Sequence, residues 1–160
     1  TPIHSSAASD VYKRQLPTEA QWEYACRAGT DTPWFTGTTA ASLTGYANLA
    51  SLDTPKTPID PGFSDDYPMH SPVHRHEPNA FGLHDMIGNV QEFTRDRFGP
   101  YTAQPMPGTG ERTQAKQPRR TARGGSHMTP AMFSRSASRR LVDERTPDMD
   151  IGLRAYRALD

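Results

Sequence analysis

The chain has 160 residues, enough for one domain, with 34% apolar residues, 15 prolines and 12 glycines. That composition excludes a helical bundle and points to a loop-rich mixed domain with a modest core. Formal net charge is zero, so no global field draws the chain to nucleic acid or an anionic membrane, and no apolar run reaches the length of a membrane span. Cys26 is the only cysteine, so no internal disulfide can form and the redox compartment stays open.

Residues 1–15, TPIHSSAASDVYKRQ, are polar and aperiodic. They are read as a disordered or non-native leader, of the kind left by translated adapter sequence in an assembled metagenome. The domain proper is set at residues 16–160. Residues 18–28 are predicted to form a helix. Thr18 is its N-cap and Gln21 completes a capping box. Trp22, Ala25 and Cys26 form an i, i+3, i+4 apolar face, Glu23 and Arg27 pair at i, i+4, and Gly29 supplies the left-handed terminator. Cys26 reads as a buried small hydrophobe, because no basic partner is evident to make a thiolate.

Residues 30–77 are rich in Thr, Ser, Pro, Gly and Asp and show few regular patterns. The span Pro78–Arg95, PNAFGLHDMIGNVQEFTR, is the most informative in the chain. Asp85, Gly88, Asn89 and Glu92 are spaced so that a tight turn can gather oxygen atoms around one point, as a calcium ion requires. Phe81, Leu83, Met86 and Ile87 are expected to anchor the loop to the core, and Val90–Thr94 to leave it as a strand. His70, His74, His76 and His84 lack the i, i+4 pairing of a zinc-binding helix and read as surface histidines. Residues 96–122 read as a mobile surface insertion, and Arg119, Arg120 and Arg123 as a solvated basic face. The Arg123-Gly124-Gly125-Ser126 run begins a strand and a bend, whose paired glycines imply positive φ or close backbone approach. In 133–140, FSRSASRR, Arg135 and Arg139 are taken as structural, hydrogen-bonding loop carbonyls. Ile151, Leu153 and Ala155 alternate with Gly152, Arg154 and Tyr156, as in a closing strand with one buried face.

Four motifs in order carry a resemblance: Leu16–Ala25 (LPTEAQWEYA), the Pro78–Arg95 stretch, Arg123–Ser126, and Ile151–Arg154. Together they resemble the formylglycine-generating-enzyme, or sulfatase-modifying factor, family. The resemblance implies an α+β, C-type-lectin-like fold: an irregular antiparallel sheet, few helices and long loops. It also implies a further stretch of strands and a helix ahead of the LPTE motif, so the chain is read as the C-terminal part of a larger domain. By position it implies two calcium sites, one at Asn48, Leu49, Asp65 and Tyr67, the other at Asp85, Gly88, Val90 and Glu92. Asn89 is expected to brace the turn through its amide.

In the family's oxidase, two cysteines after Gly-Gly-Ser bind copper(I), activate oxygen and engage the substrate cysteine. Here those positions are Thr129 and Ser134, Gln91 stands at a usual aromatic, and His127 at another. A hydroxyl is hard and stays protonated, so it cannot replace a thiolate on copper(I). Ser126 is retained without a base. The expectation is a domain with calcium but no copper, acting as a binding or accessory module for a peptide, protein or small-molecule ligand, in the bacterial cytoplasm or secreted. Two alternatives stay open. One is the C-terminal part of a nonheme-iron sulfoxide synthase of the ergothioneine type, whose iron ligands an upstream domain would supply. The other is a diversified C-type-lectin-like ligand-binding protein.

Overall fold

The computed structural model describes residues 14–51, 65–112 and 118–157. The residues are arranged as one α-helix, two 3-10 turns and six short strands. The leader therefore lies largely outside the described residues. Its last two residues, Arg14 and Gln15, form strand β1, which pairs antiparallel with β6 (Tyr156–Arg157).

Helix α1 (Glu19–Arg27) starts where the sequence places it, with Thr18 as N-cap and the reciprocal Gln21 bonds of a capping box. Its buried face carries Trp22 and Cys26, and Glu23 pairs with Arg27 one turn on. The left-handed terminator is Ala28 (φ 46°), one residue earlier than expected, and Gly29 follows with φ 94°.

A four-stranded sheet, in the order β4-β3-β2-β5, is formed by β2 (Gln91–Arg97), β3 (Arg119–Arg123), β4 (Arg140–Asp143) and β5 (Ile151–Gly152). β2–β3 and β3–β4 are antiparallel, whereas β5 runs parallel to β2 with Gln91 opposite Ile151 and Glu92 opposite Gly152. The core lies under the loops, between α1 and the sheet: Trp22, Cys26, Leu43, Leu49, Met86 and Ile87 are all at most 1% exposed. No helix among the described residues is long and apolar enough to cross a membrane.

Several expectations are corrected by packing. The span 96–122 is not one surface insertion. β2 continues to Arg97, and Asp96 is buried, accepting from the Glu19 and Arg112 N–H groups. Arg119–Arg123 is a strand and not a solvated loop face: Arg123 is 1% exposed, ion-paired to Glu23 and set over the Trp22 ring. The closing strand is split into β5 and β6, with Leu153 exposed between them, because the chain leaves one sheet for the other. Phe81 is about half exposed and packs on Tyr24 instead of entering the core. His76 is buried, unlike the surface histidine expected. Val90 stays outside β2.

Candidate functional site

The bend after β3 is built by two left-handed glycines, Gly124 (φ 95°) and Gly125 (φ 73°). Both are needed for space as well as for φ. A Cβ on Gly125 would collide with Ser134 Oγ, and one on Gly124 would sit 3.2 Å from Met86 O and the Trp22 ring. The bend delivers Ser126 to a buried network. Ser126 Oγ donates to Asp150 Oδ2 at 2.9 Å, and the Ser126 N–H donates to Thr129 Oγ1 at 3.1 Å. Because the Ser126 proton is on Asp150, the 3.1 Å contact between the two hydroxyls has Thr129 as donor. Gln91 Nε2 donates to Asp150 Oδ2 at 3.0 Å, and Arg140 Nη1 lies 3.2 and 3.0 Å from its two oxygens.

Burial opposes ionisation of Asp150, but hydrogen bonding with Asp148 and Ser126, the charge of Arg140 and the Gln91 amide hold its carboxyl below the usual range. A carboxylate so stabilised is a poor base, and among the described residues no histidine is hydrogen-bonded to Ser126 Oγ, so nothing there activates the serine as a nucleophile. Ser134 is fully buried, with Oγ donating to Pro130 O at 3.3 Å. Thus Gln91, Ser126 and Thr129 belong to one network, and Ser134 packs against its glycine bend.

Gln91, Thr129 and Asp150 of this network border an open cleft of about 690 Å3 that Phe133, Arg135, Arg140 and Asp148 also help to line. Arg139 also reaches the cleft wall, but is committed to Glu19 and the Gly99 carbonyl and lies over the Tyr101 and Phe98 rings. Arg139 is structural, as expected, whereas Arg135 is exposed and makes no ion pair among the described residues. Met128 and Phe133 are 45% and 60% exposed, giving the cleft an apolar lip. Cys26 is on the far side of the Gly124 bend, bonded weakly to Met86 O and Ser136 Oγ. Burial pushes its thiol up to about 12, outweighing Ser136 and Arg123.

Behind the cleft lie the two loops proposed for calcium. In the first, Asn48 Nδ2 donates to Met69 O at 2.8 Å, while the Asp65 carboxylate accepts from the Leu49 N–H at 2.8 Å and the Tyr67 N–H at 3.0 Å. The four residues named from the sequence therefore meet in one place. In the second, Asp85 (φ 56°), Gly88 (φ 83°) and Asn89 (φ 61°) are all left-handed. Glu92 accepts from Trp22 Nε1 at 2.7 Å and from Arg154 Nε at 3.0 Å. A small pocket of about 200 Å3 is bordered by Asp85, Gly88, Val90, Glu92 and Arg154. Burial opposes ionisation of Asp85, yet its neighbour His76 and the His74 N–H keep its carboxyl below the usual range. Asn89 braces the turn as expected, exchanging two 3.1 Å hydrogen bonds with the Ser71 backbone.

Each loop leaves one buried side-chain oxygen without a hydrogen bond, Asn48 Oδ1 and Asp85 Oδ1, the second lying 3.6 Å from His76 Nδ1. Both are hard donors, so the residues present fit an oxygen-coordinated cation. The described residues hold no group of three or more His, Cys, Asp or Glu that could share an ion, so such shells would draw on amide and carbonyl oxygens. The loops also touch each other and the cleft. The Asn89 N–H donates to Asn48 O at 2.7 Å, Ala50 N–H to Thr129 O at 3.1 Å, and Gly88 N–H to Gly124 O at 2.9 Å.

Asp150, Arg140 and the buried role of Arg123 were not singled out from the sequence. The acidic pair Asp148 and Asp150, placed immediately before Ile151-Gly152, was the available signal for the first.

A helix, a short mixed sheet and long loops define a C-type-lectin-like α+β domain. The sulfatase-modifying factor enzyme 1-like domain model matches residues 6–159, and the chain belongs to that family. It is 34% identical over 151 residues to the formylglycine-generating enzyme of Mycobacterium tuberculosis, covering 88% of this chain and 50% of that protein. It is also 34% identical over 91 residues to the mouse protein "Inactive C-alpha-formylglycine-generating enzyme 2", covering 54% of this chain and 27% of that one. Among solved structures, Treponema denticola variable protein 1 superposes with a TM-score of 0.74 at 30% identity, covering 91% of this chain and 48% of that chain. The chain spans half or less of the length of these relatives.

Proposed function

We propose that this chain is a sulfatase-modifying-factor domain that binds a ligand in the cleft beside Ser126 and Thr129, as a binding or accessory module, and does not carry out copper-dependent thiol oxidation. The observation that carries the reading is the chemistry at the two positions where the family's oxidase has cysteines. Thr129 is hydrogen-bonded to Ser126, and Ser134 is buried against Gly125. Neither can become a soft anionic ligand. The one thiol, Cys26, is buried with a pKa near 12 and cannot substitute for them. A relative described as an inactive formylglycine-generating enzyme supports the idea that the fold persists without this activity.

The cleft retains what binding needs: an apolar lip of Met128 and Phe133, the exposed cation Arg135, and a rigid floor fixed by Asp150. Calcium belongs to the same reading. Asn48, Leu49, Asp65 and Tyr67 would hold one ion, and Asp85, Gly88, Val90 and Glu92 another. Bound there, calcium would neutralise the carboxylates and tie together the loops that hydrogen-bond to the cleft floor. Co-expression with a sulfatase, followed by mass spectrometry of its target cysteine, tests the oxidase question inside cells. The cysteine should remain unconverted, and formylglycine above the empty-vector level would overturn the reading. Calorimetric titration should count two calcium ions per chain, and absence of uptake would remove the metal from it.

A further inference from the structure

Four of the six histidines form two close pairs that differ in geometry. His74 and His84 are stacked, with ring centroids 4.6 Å apart and planes 5° from parallel. His70 and His127 are 4.2 Å apart with planes tilted by 54°. In this second pair each ring commits one nitrogen to a backbone carbonyl: His127 Nδ1 to Asn89 O at 3.1 Å, and His70 Nε2 to Met149 O at 2.8 Å. A carbonyl oxygen only accepts, so those two nitrogens carry protons. In the neutral rings the other nitrogens, His127 Nε2 and His70 Nδ1, are therefore lone pairs.

His127 is 1% exposed, and its Nε2 is buried with no hydrogen-bond partner. An imidazole lone pair left alone in the interior calls for an unseen donor or ion. Pinning the opposite N–H on a backbone carbonyl is also how proteins fix the tautomer and orientation of a metal-binding histidine. Parallel stacked rings direct their lone pairs side by side, whereas tilted rings can aim them at one point, which separates the two pairs.

We propose that His70 Nδ1 and His127 Nε2 form a two-histidine site for a divalent first-row transition metal. Imidazole favours copper(II), nickel(II) or zinc(II), whereas the oxygen-rich loops favour calcium. With no cluster of three or more His, Cys, Asp or Glu among the described residues, those residues supply two donors. Water or a donor atom of a bound ligand completes the shell, and the exposure of His70 leaves those positions open. The site adjoins the cleft floor, since His127 follows Ser126 and Met149 precedes Asp150. It stands on the ring geometry and not on the reading of the cleft.

The test is titration of the full chain with copper(II) in saturating calcium, read by electron paramagnetic resonance for imidazole nitrogen couplings. One nitrogen-coupled equivalent is expected. It should be lost in His70→Gln and in His127→Gln, and kept in His74→Gln. His70 is exposed, so His70→Gln should keep its fold even if the buried His127→Gln does not, and metal-free melting curves check both. A wild-type spectrum without nitrogen couplings, or a nitrogen-coupled equivalent undiminished in His70→Gln, would overturn the site.

Discussion

Replacing Glu92 by Gln changes one atom type and separates two roles of the glycine turn. The carboxylate side chain is 8% exposed and accepts from Trp22 Nε1 at 2.7 Å, while Arg154 Nη2 lies 2.7 Å from Oε1 and Arg154 Nε 3.0 Å from both oxygens. The amide keeps the shape but offers one acceptor and one donor, so its NH2 must face either the indole N–H or the guanidinium. Breaking a fully buried pair costs about 3–5 kcal/mol. Arg154 is 31% exposed, so water recovers part of that and about 2–3 kcal/mol is expected. For a chain of this size that lowers Tm by roughly 5–10 °C. This loss should appear in chelator, where only the network is removed. In wild type, calcium at about a hundred times its Kd should add about 2.7 kcal/mol per site. The variant should lose most of the second site's share. Melting curves of both proteins, with chelator and with calcium, make the comparison. A Tm in chelator within 2 °C of wild type, or about 0.5 kcal/mol by the same conversion, would refute the network argument. An undiminished calcium shift would refute the ligand assignment.

Gly88→Ala should be among the most damaging single-atom changes, because φ is 83° and the new Cβ would run into the Asn48 carbonyl. Left-handed strain and overpacking together suggest a loss of about 2–4 kcal/mol by urea denaturation, and less than about 1 kcal/mol would contradict the close approach. The Asp150 carboxyl is held below its ordinary 3.8, so its protonation favours the unfolded chain. Its stabilising share is therefore complete above that value and lost as pH falls through the lower folded one. Urea midpoints should show Asp150→Asn less stable than wild type at neutral pH, with the gap closing in acid; a pH-independent gap would be inconsistent with this. Cys26, with its thiol raised to about 12, should resist iodoacetamide at pH 8 and react once denatured. Rapid labelling of the native chain would show that the thiol is not buried.

Local rules made α1 legible. The Thr18–Gln21 capping box and the Trp22–Cys26 face depend only on residues within one or two turns. The glycine bends were legible for the same reason, since Gly88, Gly124 and Gly125 answer to their own φ and nearest neighbours. What could not be read were partnerships across long separations. Glu19 is bonded to Arg139, 120 residues away, and Arg123 to Glu23, 100 residues away. An arginine in RRTAR looks solvated until its partner is known, and Asp150 looks like a turn residue until Ser126 and Gln91 reach it. The His70–His127 contact was hidden likewise, because only the fold brings together residues from the loop before β2 and the bend after β3.

The central claim is that the scaffold remains and the sulfur chemistry does not. Its most direct measurement is incubation of the purified chain with a Cys-x-Pro-x-Arg peptide, copper and oxygen, followed by mass spectrometry of the peptide. The account predicts that the peptide loses no more thiol than in the protein-free control and that no formylglycine forms. Formylglycine accumulating in proportion to the protein added would contradict it.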